Sequence, residues 1–209
     1  MDLNASLPFV SVGLGALVGY LIGSLSFAVI VSRSFGLADP RSYGSGNPGA
    51  TNVLRSGHKA AAILTLLFDA LKAYLPVLIA AHLGYDERTV VAVALGAFLG
   101  HLWPVFFKFE GGKGVATAAG ALLALNPAMG GLVLVIWLGM AAAFRYSSLA
   151  ALTAALAAPV IQACWTGWGP TTMGVIAMSA LLIWRHAANI HKLLAGQESK
   201  LGQKSSPAA

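Results

Sequence analysis

The sequence predicts an all-α integral membrane protein with seven transmembrane helices, one of them short, its N-terminus outside and its C-terminus cytoplasmic. Three observations carry that reading. Of the 209 residues, 57% are hydrophobic and only 10% charged, with a mean hydropathy of +0.76, which leaves too little polar side chain to cover a soluble core. Six apolar stretches reach or approach the roughly 20 residues needed to cross about 30 Å of hydrocarbon: Pro8 to Val31, Ala60 to Leu83, Val90 to Phe107, Ala128 to Phe144, Ser148 to Trp165 and Thr172 to Trp184, with a shorter run from Val115 to Leu125. The third observation is where the basic residues fall.

If the short run crosses, Arg33, Arg41, Arg55, Lys59, Lys108, Lys113, Arg145, Arg185, Lys192, Lys200 and Lys204 share one side, Arg88 faces the other, and Lys72 lies within a span. That is eleven against one. If the run does not cross, the five cations that follow it change sides and the split becomes six against six. Positive charge collects on the cytoplasmic side of membrane proteins, so seven crossings are expected. The formal charge of +6 is thereby used for orientation, and no nucleic-acid partner is expected.

Each span has its own features. Only Asp2 precedes the first, with no basic segment, so a retained helix is expected rather than a cleaved leader. Gly15, Gly19 and Gly23 in that span, and Gly96 with Gly100 in the third, form faces of small residues on which helices approach closely. Asp69 and Lys72 stand three apart in the second span; unpaired charges are costly in lipid, so a helical salt bridge is expected. Cys164 has no partner for a disulfide or thiol site. The chain reads as one membrane domain, 1–209, ending in a polar, disordered tail over roughly 197–209.

Three polar segments fall on the expected cytoplasmic face: Ser32 to Lys59, Lys108 to Gly114, and Arg185 onward, with the turn at Arg145 to Ser148 beside them. The glycines Gly44, Gly46 and Gly49 spell GxGxxG, but a dinucleotide site needs a strand before it and a βαβ unit around it. Gly111 to Gly114 lacks the spacing of a Walker loop. What the segments supply together is cations, hydroxyls, amides and glycine N–H groups, the set that binds phosphate oxygens. Lys113 opens the short run, where a helix N-terminus adds positive potential. His186 and Asn189 share a helix face; the histidine suits a general base and equally a side chain lodged among headgroups. No metal site is expected, because too few acidic residues accompany the histidines.

Three segments together, SGNPGATNVLR (Ser45 to Arg55), GHLWPVFFKFEGGKGVAT (Gly100 to Thr117) and RHAANIHKLLAGQE (Arg185 to Glu198), resemble the cytoplasmic motifs of the bacterial acyl-phosphate:glycerol-3-phosphate acyltransferases, the PlsY family. The resemblance runs over the whole chain. It implies transfer of a fatty acyl group from acyl phosphate to the 1-hydroxyl of glycerol 3-phosphate, forming lysophosphatidic acid at the bacterial inner membrane. It implies catalytic roles for Ser45, Arg55, Lys113, His186 and Asn189, and substrate-binding roles for Asn47, Thr51, Asn52, Gly112, Gly114, Ser147 and Glu198. No cofactor and no obligate protein partner is implied; the substrates and membrane lipid are the partners. The HX4D pattern of other acyltransferases is absent: Asp86 follows His82 by four residues and Glu87 by five, in a loop expected outside. A small transporter of a phosphorylated or anionic solute is the alternative, with Asp69 and Lys72 as its buried pair; a non-catalytic lipid-binding scaffold would leave the polar segments without a purpose.

Overall fold

A computed structural model describes the backbone of residues 3–202 and the side chains of residues 9–202. Helices follow the apolar runs: α1 (Leu3–Gly23), α2 (Phe27–Ser34), α3 (Ala50–Leu54), α4 (Lys59–His82), α5 (Glu87–Leu102), α6 (Val115–Leu125), α7 (Pro127–Phe144), α8 (Ser147–Thr166), α9 (Pro170–Arg185) and α10 (Ala187–Leu194). Among the described residues there is no strand. In hydrocarbon a backbone satisfies its own polar groups, which leaves the helix as the default for such sequences.

Local chemistry sets the ends. Asp86 caps α5, accepting from the N–H groups of Arg88 at 2.9 Å and Thr89 at 3.2 Å, and Asn126 caps α7 by accepting from Met129 N–H at 3.1 Å, with Pro127 at the first helical position. Arg145 closes α7 in the left-handed region at φ 62°. The first expected span divides: α1 and α2 are separated at Ser24, Leu25 and Ser26, and the freed Leu25 carbonyl accepts from Lys72 Nζ at 2.7 Å. The third span likewise turns at Trp103 and Pro104 into a short 3-10 turn, Val105–Phe107.

Among the described residues, five stretches are long and apolar enough to cross a bilayer: Phe9–Ser34, Lys59–His82, Glu87–Phe107, Pro127–Phe144 and Ser147–Thr166. The α9–α10 pair, bent by 57°, passes the same test when the two helices are taken as one span, which brings the number to six. Helix α6 coincides with the expected short run; its 11 residues span about 16 Å at 1.5 Å per residue, roughly half the hydrocarbon thickness.

The core lies where α4, α5, α6, α8 and α9 meet, around Phe98, Leu102, Ala121, Ala154 and Val175. Helices α1 and α5 touch backbone to backbone along the expected glycine faces. A Cβ at Gly23 would stand 2.6 Å from Ala97 Cα, and one at Gly100 would stand 2.7 Å from Ser24 N. Phe9, Ile63, Val135, Leu156 and Val160 point outward and are more than half exposed, a surface suited to lipid. The expected salt bridge is present: Lys72 Nζ stands 2.8 Å from Asp69 Oδ1, and both side chains are almost fully buried.

Gly23→Ala is expected to destabilise the protein in detergent by about 1–3 kcal/mol, the usual cost of overpacking. Gly139→Ala, where a Cβ meets nothing within 4 Å, should leave thermal unfolding nearly unchanged. Equal unfolding temperatures for the two variants would refute the close α1–α5 contact.

Candidate active site

The first motif is a loop tied by one buried amide. Asn52 accepts Ser45 N–H at 3.0 Å and donates from Nδ2 to the carbonyls of Pro40 at 2.6 Å and Tyr43 at 3.1 Å. Those bonds fold 40–52 into a tight turn that Gly44 and Gly46 complete at φ 60° and 67°. Asn52 therefore shapes the loop. The short helix α3 then carries Thr51 and, at its end, Arg55. Arg41 links this loop to the second, donating to Asp39 at 2.7 Å and to Glu110 at 3.0 Å; its guanidinium holds the Asp39 carboxyl below its ordinary range.

The second motif, Gly111 to Gly114, lies flat on the end of α5. Gly112 N–H donates to the His101 carbonyl at 3.1 Å, and Arg185 donates to the carbonyls of Gly111 at 2.9 Å and Gly112 at 3.1 Å. Gly114, at φ 85°, turns the chain into α6. This anchoring leaves Lys113 to reach across to the third motif.

There Lys113 Nζ donates to Asn189 Oδ1. Asn189 Nδ2 donates to Glu198 Oε1 at 2.7 Å, and the Ser148 hydroxyl donates to the same oxygen at 2.7 Å. The chain Ser148, Glu198, Asn189, Lys113 thus joins α8, the C-terminal segment, α10 and the glycine loop. Burial pushes the Lys113 ammonium down to about 8; Glu198 opposes that shift, while Lys192, Arg185 and Arg55 reinforce it. His186, almost fully buried, places Nδ1 2.8 Å from the Leu182 carbonyl. A carbonyl only accepts, so Nδ1 carries the proton and Nε2 of the neutral ring is an acceptor.

Residues 197–202, part of the stretch expected to be a disordered tail, are bonded back onto this site. Besides Glu198, the Ser199 hydroxyl accepts from Arg55, and Leu201 N–H donates to the Arg145 carbonyl at 2.6 Å. Residues 203–209 lie outside the described residues.

These groups surround a cavity of about 630 Å³. Ser45, Asn47, Thr51, Asn52, Arg55, Lys113, Gly114, Ser147, His186, Asn189 and Glu198 all line it. Its other part is apolar, walled by Leu122, Val133, Leu134, Ala154, Ala158, Val175 and Met178 of α6, α7, α8 and α9. A second, polar cavity of about 290 Å³ shares Ser45, Asn47, Lys113 and Asn189 with the first and adds Gly46, Gly111, Arg185 and Lys192. Of the twelve residues expected at the site, Gly112 alone lines neither cavity; a side chain there would come within 2.9 Å of His101 Cε1, so what requires glycine is packing. Asp69 and His101, given no site role in the sequence reading, also line the larger cavity. The sequence could not bring them to the loops, because His101 of α5 meets Asp69 and Lys72 of α4 only through helix packing.

A cationic basin continuous with an apolar slot defines a class: an integral membrane protein that joins a charged reactant to a fatty chain. The chain belongs to the glycerol-3-phosphate acyltransferase family, whose profile matches residues 13–196. It is 62% identical over 198 residues to the glycerol-3-phosphate acyltransferase of Burkholderia lata, covering 94% of this chain and 93% of that one. It is 60% identical over 199 residues to that of Burkholderia orbicola, covering 94% and 96%. Among solved structures it matches the crystal structure of PlsY, an integral membrane glycerol 3-phosphate acyltransferase, in its glycerol 3-phosphate form, with a TM-score of 0.87 and 38% identity over 92% of this chain and 96% of that one. The lysophosphatidic acid form of PlsY matches with a TM-score of 0.84 and 37% identity, over 91% and 95%.

Lys113 should react with an amine-directed reagent with a half-point near pH 8, read by site-resolved mass spectrometry. Glu198→Gln keeps the hydrogen-bond acceptor but removes the charge that favours the ammonium, so the half-point should move lower. An ordinary lysine half-point near 10.4 in the wild type would contradict the buried setting of Lys113.

Proposed function

We propose that this glycerol-3-phosphate acyltransferase takes its acyl group from an acyl phosphate and delivers it to the 1-hydroxyl of glycerol 3-phosphate, at the cytoplasmic face of a bacterial inner membrane. In this reading α6 is the seventh, short crossing, the N-terminus lies outside and the C-terminus inside, the arrangement that the charge asymmetry favours. The observation that carries the reading is the position of Lys113 on the shared wall of the two cavities. A cation there faces one phosphate in the apolar-ended cavity and another in the polar one.

The acyl donor lies in the larger cavity, chain among α6 to α9, phosphate against Arg55, Lys113 and the hydroxyls of Thr51 and Ser147. Glycerol 3-phosphate occupies the polar cavity, with its phosphate toward Arg185 and Lys192 and its hydroxyls toward Ser45, Asn47 and Asn189. An acyl phosphate is a mixed anhydride with a good leaving group, so orientation and charge stabilisation suffice. The 1-oxygen bonds to the acyl carbon, the bond from that carbon to the phosphate oxygen breaks, and the hydroxyl proton passes to Nε2 of His186. Phosphate leaves with the pair of electrons, its charge met by Arg55 and Lys113. Glu198 acts by holding Asn189, which in turn holds Lys113. Family membership sets the transporter alternative aside.

Purified protein given labelled glycerol 3-phosphate should form lysophosphatidic acid with palmitoyl phosphate and not with acyl-carrier-protein or coenzyme A thioesters. Product from a thioester alone would overturn the donor assignment. Lys113→Ala should fold, with an unfolding temperature near that of wild type, and lose activity about a hundredfold or more, as for removal of one preorganised charge-stabilising group. Anion binding needs the protonated lysine, so kcat/KM should fall as pH rises through about 8; a profile flat to pH 10 would remove Lys113 from phosphate binding.

A further inference from the structure

The ion pair inside the second span has a third member. His101 Nδ1 stands 2.9 Å from Lys72 Nζ, Lys72 is 2.8 Å from Asp69 Oδ1, and Lys72 also donates to the Leu25 carbonyl at 2.7 Å. An ammonium only donates, so His101 accepts at Nδ1 and carries its proton on Nε2. All three side chains are more than nine-tenths buried. Three ionisable groups at such a place need a reason, because a buried ion pair adds little net stability over apolar residues of the same volume.

The reason lies on the other edge of the imidazole. That edge fits under Gly112, where a side chain would come within 2.9 Å of His101 Cε1 and 3.0 Å of the Pro48 carbonyl. The His101 carbonyl also accepts Gly112 N–H at 3.1 Å. The ring thus lies against the backbone next to Lys113, at the place where the second motif loop meets the first. The ring is held in rotation by Lys72, which Asp69 fixes from one helical turn away. Lys72 further ties the unit to the break between α1 and α2.

We propose that Asp69, Lys72 and His101 form a buried positioning unit that sets the height of the 111–114 loop, and through it the placement of Lys113 against both cavities. None of the three is a catalytic residue; each acts through the next. The inference rests on the reading of Lys113 as the shared phosphate ligand, and its test keeps the two apart.

The variants are His101→Ala, His101→Gln, whose amide reaches about as far as Nε2, and the neutral double change Asp69→Asn with Lys72→Met. Gly174→Ala, which presses on Val91 at the opposite end of α5, serves as a stability control. Each purified full-length protein is measured for unfolding temperature, for kcat/KM with glycerol 3-phosphate and palmitoyl phosphate, and for the pH half-point of Lys113 labelling. His101→Ala and the double variant should lose tenfold or more in kcat/KM, and their labelling half-point should rise from about 8 toward that of an ordinary lysine as the freed loop lets water reach Lys113. His101→Gln should recover most of both. Gly174→Ala should change the unfolding temperature without moving the half-point. Folded variants with an unmoved half-point overturn the proposal, as does failure of both His101→Ala and the double variant to fold, which would make the unit scaffolding alone. Activity retained in Lys113→Ala would sink the Lys113 reading, whatever these variants do.

Discussion

The hydrogen bond from Lys113 to Asn189 is the contact on which the arrangement of the site depends. It joins the loop after α5 to the helix after α9, two segments that no backbone hydrogen bond connects. On one side it is backed by Glu198 and Ser148; on the other, the glycine loop is fixed by Arg185 and the His101 carbonyl. A lysine carries large rotamer entropy, about 1.5–2 kcal/mol when fixed. Much of that loss is met in folding, before any ligand arrives. Preorganised charge of this kind is what a reaction on a phosphate-bearing substrate needs, since no solvent must turn to meet the charge during the step.

The same economy governs the membrane-embedded part. A lipid surround offers no hydrogen bonds, so every interruption of a helix must be answered from within. The break at Leu25 is answered by Lys72, and Ser24 turns its hydroxyl back to the Tyr20 carbonyl at 2.7 Å. Tyr20 in turn donates to the Trp103 carbonyl at 2.8 Å, where α5 unwinds. Both breaks sit beside the close α1–α5 contact. Glycine there lets two backbones touch, and the polar groups released by unwinding find partners on the adjoining helix.

The spans were legible because lipid imposes a strong length and composition filter; α4, α7 and α8 end within a residue of the apolar runs read from the sequence. Helix α6 was legible in its bounds, while its membership among the crossings rested on the distribution of Arg and Lys. Motif residues came together because each segment is short and polar between apolar helices, which leaves it one face to occupy. What the sequence could not reveal was pairing across helices. His101 has apolar neighbours in sequence and meets Lys72 only because α4 packs against α5. The fold-back of Glu198, Ser199 and Leu201 was masked in a similar way: a glycine-, serine- and lysine-rich stretch has the composition of a disordered tail, and its partners Arg55, Arg145 and Ser148 are far away in sequence.

The short reach of α6 has a consequence for traffic. Helix α4 packs mainly on α6, and α7 packs on α8 and on α6; the apolar cavity is lined by Ile63 and Leu66 of α4 and by Leu134 and Leu138 of α7, side chains that also form the outer surface of the bundle. The slot thus reaches the apolar outer surface of the bundle between α4 and α7. A long chain can enter and leave by lateral diffusion without crossing water, sparing the roughly 0.8 kcal/mol per methylene of aqueous exposure. Exchange of the tail is then a two-dimensional process, governed by local leaflet composition, while exchange of the small polar reactant follows its bulk concentration. One catalyst is thereby fed from two phases at once.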